Sequence, residues 1–148
     1  MSIKEGQPRN FKELIQHDPV VRAIHLTNEA EMIFNQGGLY YEGVLVTAPY
    51  GLATNRLKEA IPILEKAKGA ELLLARAYEV YGDVAVHYRN PGEIREPSIA
   101  DSEHHTIAGD HYNAALQTLG RIEDVSKTED ARNRIVQKLT SLQKPENR

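Results

Sequence analysis

The residues best suited to chemistry crowd into DSEHHTIAGDHYNAAL, residues 101–116, which holds Asp101, His104, His105, Asp110 and His111. Imidazole and carboxylate groups ligate transition metals and move protons near neutral pH, so a metal centre or a general base is the first chemistry to consider. Spacing limits both. On a helix, His104 and His111 are separated by about 10.5 Å of rise, too far to share one ion, and the chain has no His-x-x-x-His pair. Asp101 with His104 or His105, three and four residues on, can meet on one face and supply part of a metal site or orient a base. The competing reading is structural. Asp101 is a first-turn acid, favourable at a helix N-terminus, and histidines beside an apolar stripe are commonly half-buried packing residues. The stripe here is Ala108, Tyr112, Ala115 and Leu119. His104 and His111 follow one edge of it and His105 the other, while Glu103 and Asp110 face away. The structural reading, with no metal and no cofactor, is the expectation; Asp101, His104 and His105 are kept as a metal- or small-molecule-binding alternative.

Other reactive patterns are absent from the sequence. There is no cysteine, no Gly-x-Ser-x-Gly elbow, and no glycine-rich loop of the Walker or dinucleotide type, so neither catalysis nor phosphate binding is expected. Tyr78 and Tyr81, inside a strongly apolar segment, read as core rather than as a ligand surface.

The elements that would position these residues are helical. NFKELIQHDP forms a short helix with Asn10 as N-cap and Glu13 three residues on. Asp18-Pro19 stops it and starts the next, since Asp caps well and Pro is tolerated at the first helical position. Ala23, Leu26, Ala30, Ile33 and Phe34 then recur at helical spacing up to Gly37-Gly38. LYYEGVLVTAPYG, residues 39–51, breaks the period and reads as a loop or short extended segment. LATNRLKEAIPILEKAKG resumes it, with Gly69 as the stop and Pro62 predicting a kink or a helix that begins near Ala60. AELLLARAYEVYGDVAVHYR follows after one glycine and must turn back on its predecessor. NPGEIREP ends it, the helix carrying the histidines runs from about Ser98 to Leu119, and Ser126-Lys127-Thr128-Glu129 has the form of a capping box for a last helix.

Length and charge fit one ordinary domain. A chain of 148 residues buries a core without staples, so residues 1–148 are expected to form one helical domain with flexible termini at 1–9 and 144–148. Eighteen basic against 21 acidic residues give a formal charge of −3 with no basic patch, which argues against nucleic acid. No apolar run approaches the roughly 20 residues of a membrane span. A cytoplasmic protein with no membrane association is the expectation.

Tyr78, Tyr81 and Gly82, followed by Ala108, Tyr112 and Ala115, resemble a tetratricopeptide repeat, and Ala60, Leu64 and Ala67 repeat the second-helix pattern. Glycine and alanine let paired helices approach while the large residues fill the space alongside. Ala85 departs from the pattern, standing where the family prefers an aromatic residue, and the connections inside each pair are longer than the family's tight turn. The resemblance implies an all-α fold of two antiparallel helix pairs with a capping helix. It also implies a non-catalytic module, an adaptor or scaffold, that binds protein or peptide. An up-and-down helical bundle is the alternative fold, and a self-associating structural subunit, a homo-oligomer, the alternative role.

The two long connections carry the expected contacts. Connections longer than packing requires are often functional, and tyrosine joins an apolar body to a polar tip. The partner-binding residues expected on this ground are Tyr40, Tyr41, Leu45 and Tyr50 from the first connection and Arg89 and Arg95 from the second.

Overall fold

Asp18 does what its position before Pro19 requires: its Oδ1 accepts from the backbone N–H groups of Val20 and Val21 at 3.0 and 3.3 Å. That cap separates α1 (Phe11–His17) from α2 (Pro19–Gln36) in the computed structural model of the chain. The structure describes residues 11–36, 39–41, 44–47, 50–88 and 102–143. Beyond α2 come β1 (Leu39–Tyr41), β2 (Val44–Thr47), α3 (Tyr50–Lys66), α4 (Glu71–Val86) and α5 (Ser102–Leu119). A single 3-10 turn (Val125–Lys127) then leads to α6 (Glu129–Gln143). The expected flexible termini, the Asn10 cap, Arg89, Arg95 and Asp101 lie outside the described residues.

The fold is all-α, with one small addition. β1 and β2 pair antiparallel, with Tyr40 opposite Leu45 and Tyr41 opposite Val44, and an irregularity lies between Leu39 and Tyr40. β-branched and aromatic residues favour that pleated surface.

Helix directions follow from side-chain pairs. Arg22 meets Glu59, Glu29 meets Arg56 and Phe34 meets Tyr50, so α2 and α3 are antiparallel. Tyr88 meets His104 and Tyr81 meets His111, which makes α4 and α5 the second antiparallel pair. Between pairs the order is parallel: Glu31 of α2 reaches Arg76 of α4, and Arg134 and Lys138 of α6 reach Glu79 of α4. Thus α2, α4 and α6 form one layer, and α3 and α5 form a second.

Small residues set the close approaches. Ala23 and Ala30 of α2 and Ala53 and Ala60 of α3 are fully buried, as are Ala108 and Ala115 of α5. Gly69 adopts φ +77°, the left-handed conformation that lets α4 fold straight back on α3.

Two expectations change. α3 runs unbroken from Tyr50, so the helix does not begin near Ala60; Pro62 sits inside it on the exposed side. Ser126 does not cap α6. It belongs to the 3-10 turn, where Asp124 accepts from its N–H and hydroxyl. The residue before α6 is Thr128, buried, whose hydroxyl donates to the Val125 carbonyl and accepts from Arg132.

Candidate functional site

α4 explains why its segment is apolar on more than one side: it packs against α2, α3 and α5 and is bonded to α6. α3 and α5 both pack on α4 rather than on each other, which leaves a groove between them with α4 as its floor.

Three helical stripes line this groove. From α4 come Leu74, Tyr78, Tyr81 and Ala85, with Tyr88 just beyond its end; from α5, His104, Ile107, Ala114, Gln117 and Thr118, with Arg121 just beyond its end; from α3, Thr54, Lys58 and Glu65. Most succeed one another by three or four residues, so each stripe is one face of its helix. The groove holds two recesses. One of about 170 Å³ lies among Thr54, Lys58, Tyr81, Tyr88 and His104, and one of about 230 Å³ lies among Glu65, Tyr78, Ala114 and Arg121.

Histidines of α5 stack on tyrosines of α4. The Tyr88 and His104 rings are 4.5 Å apart and 14° from parallel, and Tyr81 and His111 are 4.0 Å apart and 5° from parallel. His111 Nδ1–H donates to the Ile107 carbonyl at 2.8 Å. Tyr78 donates its hydroxyl to Glu65. Burial, then that hydrogen bond and the carboxylate charge, push the Tyr78 phenol up to about 12. Burial, then the neighbouring Tyr88, raises Tyr81. Both phenols therefore stay neutral at physiological pH, as hydrogen-bonding groups on an aromatic floor.

The opposite layer is closed by charge. Glu79, 1% exposed, receives Arg134 at 2.6 and 2.8 Å, Lys138 at 2.6 Å and Arg76 at 3.2 Å. Arg76 also reaches Glu31, and Lys138 reaches Asp83 at 3.0 Å. Asp83 accepts from the Tyr112 hydroxyl at 2.6 Å. Burial alone would raise the Glu79 carboxyl, but the hydrogen bonds and charges of Arg134 and Lys138 overcome it and hold the group at about 2. A chain of alternating charge so ties α2, α4 and α6 together and satisfies its own members. A depression of about 500 Å³ lies against one face of α2 at Asn28, Glu31, Met32, Asn35 and Gln36, with no facing wall and with Glu31 already bonded to Arg76.

The residues expected from sequence are dispersed. Tyr50 is 7% exposed and packs between Phe34 and Tyr88, which makes it a core residue and not a surface contact. Tyr40 and Tyr41 lie in β1 and Leu45 in β2. His104 lines the groove, while His105 is half-buried and not among its walls. Among the described residues no group of three or more His, Asp or Glu is placed to hold a metal ion. Tyr78 and Tyr81, expected in the core, are half-buried and pack against it, and they also line the two recesses, which helical period alone does not reveal.

The described residues thus define an all-α protein of two packed helix pairs and a sixth helix alongside, in which no helix is long and apolar enough to cross a membrane. Compared with protein-family models, with curated proteins and with solved structures, the chain matches none.

Proposed function

We propose that this chain is a non-catalytic peptide-binding module, a tetratricopeptide-like stack of two helix pairs closed by α6, whose binding surface is the groove between α3 and α5. The observation that carries this reading is the groove floor, where Tyr78, Tyr81 and Tyr88 lie in one line with His104 and His111 stacked beside them. Tyrosine offers large contact area at low entropic cost together with a hydrogen-bonding tip, so such a line suits an extended peptide better than a small metabolite. The parallel order of α2, α4 and α6, with α3 and α5 behind, is what a stack of helix pairs requires. The charged face across α2, α4 and α6 uses its groups on one another, which favours the other side as the surface for a partner.

Selection from a random ten-residue peptide library on the immobilised protein tests this. Peptides recovered on the native chain should lose at least about tenfold in affinity to Tyr81→Ala, since stacking and burial of one tyrosine are worth roughly 1–3 kcal/mol. The filling variants Thr54→Met and Ala114→Met, which keep helix propensity, should lose binding in the same way. If no recovered peptide distinguishes these variants from the native chain, the groove is not the binding surface.

A further inference from the structure

We propose that the groove between α3 and α5 takes an acidic, extended peptide segment, an inference that rests on the peptide-binding reading of that groove. Charge along the groove gives the direction. Lys58 stands at the recess beside Tyr88 and His104, and Arg121 at the recess beside Tyr78. Among the described residues neither has an acidic partner, whereas Arg22, Arg56, Arg76, Arg134 and Lys138 are all paired with carboxylates. The carboxylate among the groove walls, Glu65, accepts from the Tyr78 hydroxyl and keeps its charge, which leaves the recess at Lys58 the more positive of the two. On a chain of formal charge −3, the groove walls therefore carry two basic side chains against one acidic one.

Spacing narrows the occupant. Along α5 the rise from Ile107, which lines the same recess as Lys58, to Leu119 at the end of the helix is about 18 Å, with Arg121 just beyond, and an extended peptide at about 3.3 Å per residue spans it in about five or six residues. Two carboxylates five or six residues apart can reach Lys58 and Arg121 at once, while apolar or aromatic side chains between them cover Ala85, Ala114 and the tyrosine rings.

The library selection described above carries the test, with Lys58→Glu/Arg121→Glu as the second bait. Both residues are exposed, so the double variant should melt as the native chain does. Peptides recovered on the native protein should be enriched in Asp and Glu, with pairs five or six positions apart. Raising salt from about 50 to about 500 mM should weaken them several-fold, as screening of exposed charge requires. The double variant should bind them at least about tenfold more weakly and recover basic peptides in their place. Enrichment of neutral or basic sequences on the native chain, or equal capture of acidic peptides by the double variant, overturns the acidic assignment. If those neutral peptides still depend on Tyr81, Thr54 and Ala114, the peptide-groove reading stands without it; if nothing depends on them, both fall.

Discussion

Replacing Gly82 by alanine lowers the melting temperature, and replacing it by leucine prevents stable folding. A Cβ added at Gly82 would lie 2.5, 2.7 and 2.9 Å from Cε1, Cδ1 and Cζ of the Tyr112 ring, well inside van der Waals contact. The ring has nowhere to go. Tyr112 is 2% exposed, its hydroxyl donates to Asp83, and Asp83 is held by Lys138. In an open helix, Gly→Ala would stabilise by about 0.5–1 kcal/mol through propensity. Overpacking a filled core costs about 1–3 kcal/mol or more, so the clash outweighs the gain, and for leucine the excess volume makes the loss larger. Circular-dichroism melts should show a drop of several degrees for Gly82→Ala, partly recovered when Tyr112→Leu opens the space. A stabilised Gly82→Ala would mean that α4 and α5 do not meet there.

Loss of the Glu79 charge should have the next largest effect. The carboxyl is held at about 2, against an ordinary 4.5, which at about 1.36 kcal/mol per unit amounts to about 3 kcal/mol. Because the folded value is depressed, this stability is complete above about 4.5 and disappears as pH falls towards about 2. Glu79→Gln should remove it at neutral pH, leaving Arg76, Arg134 and Lys138 grouped around an uncharged amide. Melting temperatures recorded from pH 7 down to 2 should differ most above pH 5 and converge near 2. Parallel curves throughout that range would mean that Glu79 does not carry the bond between α4 and α6.

These two residues mark what a sequence can and cannot convey. Gly82 was legible because its meaning is carried by its neighbours on α4 and by the Ala108, Tyr112, Ala115 stripe, all read by local period. The Asp18-Pro19 boundary and the Gly69 stop were legible for the same reason: each acts on backbone within a turn of itself. Glu79 was not, since Arg134 and Lys138 lie 55 and 59 residues away and nothing local pairs those helices. Thr128 displaced Ser126 at the start of α6 because Asp124 engages Ser126 first. The groove was half legible. Spacing placed Tyr78 and Tyr81 on one face of α4, but whether that face is covered depends on α3 and α5 meeting over it, a fact of packing and not of period. Tyr50 failed in the opposite direction, an apparent contact residue of the first connection that Phe34 and Tyr88 enclose.

The most direct test of the groove as the binding surface is a chemical-shift map of the full chain titrated with one peptide from the selection. Binding there moves the signals of Thr54, Lys58, Tyr81, Ile107, His111 and Ala114 and leaves Met32, Arg76 and Lys138 in place. Shifts confined to Met32, Arg76 and Lys138, on the layer formed by α2, α4 and α6, would contradict it.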